Sequence, residues 1–287
     1  MIANIFQYFL IPAWYALLNN TGWMSWNLFL ALVPLALAFW LFRKPRSLFL
    51  FWGTLLLLGA TLLPHVQRVF VFGSYLFRGE ERIYIAVAIA ITVVLMLLDL
   101  WRFSRQRNTY PGHRFLLWWL GFFAFIAFLP NAPYVLTDII HLYEDVRANY
   151  SVWVLTLAIV PQYLFFMLIA FEAYTLSLVY MGDYMKRQNW GKFILVAELI
   201  VHALCSIGIY LGRFLRFNSW DIVTNPNVLV SRTLDDLIAK SPLLVMGVTF
   251  ITIAILYYLT KWVTLAIAYQ GRESDRLESR SDNSRVL

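Results

Sequence analysis

Residues 152–179 read VWVLTLAIVPQYLFFMLIAFEAYTLSLV, an apolar stretch that contains one charged side chain, Glu172. A helix that crosses the hydrocarbon core of a bilayer needs about 20 predominantly apolar residues, so this stretch is long enough to cross it. Pro161 and Gln162 lie inside the stretch and predict a kink. We therefore expect a transmembrane helix here.

The rest of the chain repeats this pattern. Of its 287 residues, 61% are hydrophobic and 14% are charged, whereas a soluble domain carries about 25% charged residues. The composition and spacing predict an all-α, polytopic transmembrane bundle over residues 1–269, with seven spanning helices, or eight if residues 2–18 also cross. Residues 270–287 mix charges with Ser and predict a disordered tail. The other predicted spans are 26–42, 48–63, 83–101, 115–130, 192–212 and 243–268.

Lys and Arg predict the orientation of the bundle. One set of alternate loops, around 43–46, 102–114 and 186–192 and after 261, holds about twice as many of them as the other set. Cytoplasmic loops carry the excess of Lys and Arg, so this side and the C-terminus are predicted to be cytoplasmic. The net charge is +7, and the basic residues lie beside the apolar stretches. This distribution favours membrane lipids as partners and argues against nucleic acid. Protein partners are not predicted by any motif.

The first candidate segment for function is FLPNAPYVLTDIIHLYEDVRANY, residues 128–150. Proline favours the first turn of a helix, so Pro133 predicts a short extracytoplasmic helix from about 133 to 145. At helical spacing Tyr134, Asp138, His141 and Asp145 share one face. We expect this helix to lie at the membrane surface with its polar face towards protein or water.

The second candidate segment is YLGRFLRFNSWDIVTNP, residues 210–226, which is predicted to emerge on the same side. Three interpretations stay open: an ion-paired lid that ties the loops together, a site for an anionic or phosphate-bearing group, and arginines that anchor a helix among headgroups. Asp138 and His141 could supply two metal ligands, which are too few, so no metal or other cofactor is predicted. The candidate residues of the two segments are Asn131, Tyr134, Asp138, His141, Arg213, Arg216, Asn218, Trp220 and Asp221.

A further candidate cluster lies within the predicted membrane spans. Glu172 and Glu198 are expected at similar depth on neighbouring helices, and His202 lies one turn from Glu198. Ionisable residues inside a bilayer are costly and usually face a bundle interior or a wet cavity. They predict either a contact that joins the two helices, or a proton or substrate pathway, or, as a third interpretation, a metal site.

Three segments resemble the signatures of a bacterial membrane family, domain of unknown function 1361. They are MSWNLFLALVP at 24–34, FLPNAPYVLTDIIHL at 128–142 and YLGRFLRFNSWDIVTNP at 210–226, within a family-like region from about 24 to 240. The resemblance implies a polytopic protein of the bacterial cytoplasmic membrane, and residues 48–101 look like an additional helical pair. By the resemblance the family pattern includes Asn27, Asn131, Pro133, Tyr134, Asp138, His141, Gly212, Arg213, Arg216, Asn218, Ser219, Trp220 and Asp221.

The sequence leads to one favoured function and three alternatives. The favoured hypothesis is that the extracytoplasmic face binds an anionic or phosphate-bearing envelope component, such as an anionic lipid or a small phosphate-bearing molecule. A proton-coupled transporter would use Glu172, Glu198 and His202, and a structural or assembly protein would need no such site. An enzyme acting on the same component would need His141 or an Asp as general base. Whether the protein is an enzyme stays open, because no common hydrolase, zinc-protease or nucleotide motif is present.

Overall fold

A computed structural model of the chain describes residues 6–42, 48–67, 116–148, 150–215 and 240–285, with Val94 and Leu98. These residues are helical almost throughout, and none of them forms a strand. Five helices are long and apolar enough to cross a membrane, which indicates a multi-pass α-helical membrane protein. They are Gln7–Phe42, Leu116–Arg147, Val152–Arg187, Gly191–Arg213 and Pro242–Gln270.

The first helix is one continuous element. A π-helical turn at Phe6–Leu10 leads into α1, Ile11–Phe42, so the described residues of the stretch 2–18, which the sequence left open as an eighth crossing, continue into the predicted span 26–42. The polar residues between the two apolar stretches do not end the helix because their side chains are bonded. The Thr21 hydroxyl donates to the Leu17 carbonyl within α1, at 2.7 Å, and the Asn20 amide donates to a neighbouring segment.

Two shorter apolar helices pack beside α1. Helix α2, Leu48–Leu62, continues into a 3-10 turn at Leu63–His65, and Phe49–His65 is shorter than the five long helices. Helix α3, Leu116–Phe128, begins beside the end of α1, where the Trp118 indole donates to the Leu41 carbonyl at 3.1 Å. The predicted span 83–101 lies outside the described residues apart from Val94 and Leu98. The total of seven or eight spans therefore stays a prediction.

The segment after α3 stands alongside α1 and does not lie across the membrane surface. Short helical turns at Asn131–Tyr134 and Val135–Asp138 lead into α4, Ile139–Arg147. Asp138 bonds Asn27, and Asp145, seven residues later, bonds Asn20, seven residues earlier in α1. The two segments thus run antiparallel, and the predicted surface helix is wrong in its direction. The physical reason is that its polar face contains two carboxylates whose hydrogen-bond donors lie on α1.

The remaining helices complete the bundle around α1. Helix α5, Val160–Arg187, follows a π-helical turn at Leu155–Ile159, which places an irregular turn directly before Pro161. It runs parallel to α1, and α6, Ile194–Arg213, returns antiparallel to it. The last helix of the chain packs against both α5 and α6.

Helix α7 extends over Lys240–Arg285. It therefore includes residues 270–285, most of the segment that the sequence predicted to be a disordered tail, and the division of the chain at residue 270 stays a prediction. The cytoplasmic location of this segment stays a prediction.

Candidate functional site

An ion pair and its hydrogen bonds join the end of α6, the turn before α4 and the middle of α1. Arg213 Nη1 lies 3.6 Å from Asp138 Oδ1, and the Asn27 amide donates to Asp138 Oδ2 at 2.8 Å. Arg213 Nη2 donates to the Thr137 carbonyl at 3.0 Å, and Nη1 donates to the Tyr134 hydroxyl at 3.4 Å. These five residues, here called the Asp138 cluster, bring both candidate segments of the sequence into contact.

Local backbone geometry places the two segments side by side. Arg213 is the last residue of α6, one turn beyond Gly208. A Cβ atom on Gly208 would lie 2.9 Å from both Cβ and Cγ of Pro130, in the turn that follows α3. Because real Cβ atoms almost never come this close to other atoms, glycine is what allows α6 to reach this turn.

The two partners of the ion pair in the Asp138 cluster differ in how far they are exposed. The Asp138 side chain is 1% exposed, while that of Arg213 is 22% exposed. Their 3.6 Å separation is too long for a hydrogen bond, so the pair is electrostatic. Arg213 also lies over the Tyr134 ring, at 5.8 Å from its centroid. Asp138 thus fixes the position of a guanidinium group whose other side reaches the surface.

A second buried carboxylate lies two turns farther along the same face. Asp145 Oδ2 accepts hydrogen bonds from the Asn20 amide at 2.6 Å and from the Tyr163 hydroxyl at 3.1 Å. Trp23 donates to Asn20 Oδ1 at 3.3 Å. We call these four residues the Asp145 cluster. Among the described residues no cation lies within ion-pair distance of Asp145.

The candidate residues His141 and Asn131 lie outside the Asp138 and Asp145 clusters and make other hydrogen bonds. His141 Nδ1 lies 3.0 Å from Glu144 Oε2, and both side chains are partly exposed. The His141 ring also lies 4.7 Å from the Trp23 ring. The Asn131 amide donates to the Phe128 carbonyl at 2.8 Å, which closes the turn after α3. The predicted residues Arg216, Asn218, Trp220 and Asp221 lie outside the described residues.

The sequence missed several partners of the two carboxylates. Asn20 was assigned to a break between two helices, and Tyr163 and Thr137 carry no motif. Asn27 was noted only through the family resemblance. The seven-residue spacing of Asn20 and Asn27 matches that of Asp138 and Asp145, and this shared spacing is the signal that could have identified them.

The predicted cluster inside the membrane spans is divided between two places on α7. Glu198 bonds Tyr257 and Lys261, whereas Glu172 Oε1 accepts a hydrogen bond from Thr264 at 2.8 Å. The contacts of Tyr174 with His202 and of Gly182 with Ile194 align α5 with α6. Each glutamate thus bonds α7, and their similar depth in the membrane stays a prediction.

Glu172 also lines a groove between α1, α2 and α5 with a volume of about 370 Å³. Its walls are almost entirely apolar and include Leu35, Phe49 and Leu168. No group of three or more His, Cys, Asp or Glu residues in the described part of the chain is arranged to hold a metal ion.

Comparison with known proteins gives a family and nothing more specific. The model of the family described as "Protein of unknown function (DUF1361)" matches residues 87–255, well over half of the chain. The matched range includes both candidate segments and begins after the 24–34 segment that contains Asn27. No curated protein and no solved structure matches the chain.

Proposed function

This chain belongs to the DUF1361 family of proteins of unknown function, and we propose that it binds a phosphate-bearing lipid headgroup through Arg213. The observation that carries the proposal is the geometry of this arginine, which is oriented by Asp138 and yet partly exposed. A guanidinium group offers five N–H donors and suits phosphate because it can bind two oxygens at once.

Arg213 retains donors for a ligand. Its Nη2 atom makes one hydrogen bond, to Thr137, and its Nη1 atom makes one, to Tyr134. Within the described ranges no other acceptor lies within hydrogen-bond distance, because Asp138 Oδ1 is 3.6 Å away. At least two N–H groups are therefore left to donate to phosphate oxygens.

The depth of Arg213 fits a headgroup. The 20 residues of α6, Ile194–Arg213, extend about 30 Å, which equals the thickness of the hydrocarbon core. Lys192 and Arg187 mark the opposite end of the same region. An arginine at this level meets lipid phosphates without leaving the protein surface.

We further propose that the Arg213 end of the bundle is extracytoplasmic and that the membrane is the bacterial cytoplasmic membrane. The excess of Lys and Arg in the loops at the Arg187 end supports this orientation. Cysteine labelling of intact cells tests it in a Cys205→Ser background. Glu144→Cys should react with an impermeant reagent added outside, and Lys192→Cys should react only after the cells are opened. The reverse result would contradict the orientation.

The lipid proposal is tested by the lipids that co-purify with the protein, identified by mass spectrometry. We expect a phosphate-bearing anionic lipid to be depleted about tenfold, or about 1.4 kcal/mol, when Arg213→Gln is combined with Asp138→Asn. The double variant removes both charges, so no buried carboxylate is left without its partner.

Arg147→Gln is the matched control, because Arg147 lies on the exposed side of α4 and contacts only Tyr143 among the described residues. It should leave the lipid profile unchanged. An unchanged profile in the Arg213 and Asp138 double variant would leave the ion pair as a structural contact between segments and refute the proposal.

A further inference from the structure

The two glutamates inside the apolar spans differ in whether the chain supplies them with a positive charge. Glu198 Oε1 accepts a hydrogen bond from Lys261 at 2.5 Å, so its charge is paired. Glu172 has no cation within ion-pair distance among the described residues. A charge inside a bilayer is costly and is usually paired. Glu172 is therefore the glutamate for which the described part of the chain provides no opposite charge.

The hydrogen bond that Glu172 accepts does not replace a positive charge. The Thr264 hydroxyl lies 2.8 Å from Glu172 Oε1 and also 2.8 Å from the Thr260 carbonyl oxygen. A hydroxyl group has a single hydrogen, so these two acceptors share it. Glu172 Oε2 accepts no hydrogen bond from the described residues. The carboxyl group thus keeps most of its capacity to bind a further group.

Glu172 lines the apolar groove between α1, α2 and α5. The other polar residue of the lining, Thr54, donates its hydroxyl to the Leu50 carbonyl of its own helix at 2.7 Å. The remaining walls are apolar and include the ring of Phe49. The volume of about 370 Å³ lies within the range of about 300–1,000 Å³ that sites for small molecules occupy. The groove therefore combines an apolar wall of suitable size with one carboxyl group.

The groove can be reached from the bilayer. Glu172 lies in the interior of the apolar span Val152–Arg187, about 22 Å of helix from Arg187, and so within the hydrocarbon core. Two of the wall residues, Phe49 and Leu168, are 86% and 61% exposed. A molecule dissolved in the bilayer therefore reaches Glu172 sideways, through lipid.

We propose that this groove binds a lipophilic cation, a molecule with an apolar body and one positive charge, which pairs with the Glu172 carboxylate. Lipid tails are as apolar as the walls of the groove, so the walls alone give little preference over lipid. The ion pair with Glu172 supplies that preference. The bound pair is electrically neutral, so the hydrocarbon core holds no net charge at this place.

The carboxyl group distinguishes a lipophilic cation from other occupants of the groove. An uncharged apolar molecule or an acyl chain would contact the same walls but would leave Glu172 without an opposite charge. An anionic lipid would be repelled by the carboxylate. The site thus has the opposite charge preference to the phosphate site proposed at Arg213, and neither proposal rests on the other.

The test measures the equilibrium binding of radiolabelled tetraphenylphosphonium to the purified protein in a neutral detergent, with the uptake by empty micelles subtracted. We expect saturable binding to the wild type. Tetraphenylmethane, which has the same shape and no charge, should not compete when it is dissolved in the same detergent. Glu172→Gln should weaken binding at least about tenfold, because it removes the charge of a buried ion pair. Its amide oxygen can still accept the hydrogen bond from Thr264, so the contact with α7 is kept.

Glu144→Gln is the matched control for charge, because Glu144 is an exposed glutamate on α4, and its binding should equal that of the wild type. Gly53→Leu and Gly59→Leu form a matched pair on α2. A Cβ atom would meet nothing within 4 Å at either glycine, but Gly53 lines the groove and Gly59 does not. Gly53→Leu should therefore reduce binding, and Gly59→Leu should not.

Three results would each overturn the proposal. They are the absence of saturable binding to the wild type, equal competition by tetraphenylmethane, and wild-type affinity in either Glu172→Gln or Gly53→Leu. Because none of these variants alters Arg213 or Asp138, each of these results leaves the phosphate site to be judged by its own experiment.

Discussion

The Asp138–Arg213 ion pair predicts a measurable coupling free energy between two segments that are 75 residues apart in the sequence. The perturbations are Asp138→Asn, Arg213→Gln and both together. At 3.6 Å and an effective dielectric constant of about 20, two unit charges attract by about 4–5 kcal/mol. Because Arg213 is 22% exposed, water screens part of this attraction. We expect a coupling of about 2 kcal/mol, within the range of about 0.5–3 kcal/mol found for residues in contact.

The assay is reversible unfolding of the four proteins in mixed micelles of a neutral detergent and dodecyl sulfate. The double variant should lose less stability than the sum of the losses of the two single variants, because each single variant leaves one charge unpaired. The control cycle uses His141 and Glu144, whose exposed pair should couple by about 0.5 kcal/mol or less. A coupling below about 0.5 kcal/mol for Asp138 and Arg213 would refute the reasoning, since it would mean that the pair contributes no more than a surface contact.

Two further predictions concern packing and hydrogen bonding. Gly208→Ala should destabilise the protein by about 1–3 kcal/mol, because its Cβ atom would lie 2.9 Å from Pro130. The control is Gly59→Ala, whose Cβ atom would meet nothing within 4 Å and which should be neutral or stabilising in the same unfolding assay. Equal effects at the two sites would contradict the close approach of α6 to Pro130. Tyr163→Phe should lower the free energy of unfolding by about 1.5–3 kcal/mol, because it removes a hydrogen-bond donor to the Asp145 carboxylate. A loss below about 0.5 kcal/mol would show that this hydrogen bond does not stabilise the bundle.

The fold class follows from the sequence because apolar stretches of about 20 residues have few alternatives to spanning helices. The positions of the helices were therefore predicted well at 152–179 and 192–212. The start of the first helix was predicted less well. The polar residues Asn19, Asn20, Thr21 and Gly22 resemble a turn when they are considered alone, so the predicted span begins at residue 26. Asn20 stays helical because Asp145 accepts its amide hydrogen bond, and this partner is distant in the sequence.

The candidate site was predicted in part for a similar reason. The sequence indicated that Asp138 and Arg213 would lie on one side of the membrane, and the structure brings them into contact. It did not indicate the direction of the segment 131–147, which depends on where the donors on α1 lie. A helical face with two carboxylates predicts an outward polar side in water, whereas here both carboxylates are buried against amides of α1.

The glutamates inside the membrane show which information a local pattern lacks. One of the three interpretations was that Glu172 and Glu198 join their own two helices, and the structure shows that both also bond α7. The spacing within one helix predicts which residues share a face, and it does not predict which helix packs against that face. Only the packing of α7 reveals that Lys261 neutralises Glu198.

The most direct test of the account is a binding titration of the delipidated protein with defined lipids. We predict that an anionic phosphate-bearing lipid binds at least about tenfold more tightly than a neutral lipid of equal chain length that lacks phosphate. This corresponds to a difference of at least about 1.4 kcal/mol in binding free energy. Inorganic phosphate should compete if the phosphate alone is recognised, and it should not compete if the rest of the lipid is also required. The combined Arg213→Gln and Asp138→Asn variant should lose this preference. Equal affinity of the wild type for both lipids would contradict the assignment of Arg213 as a headgroup site.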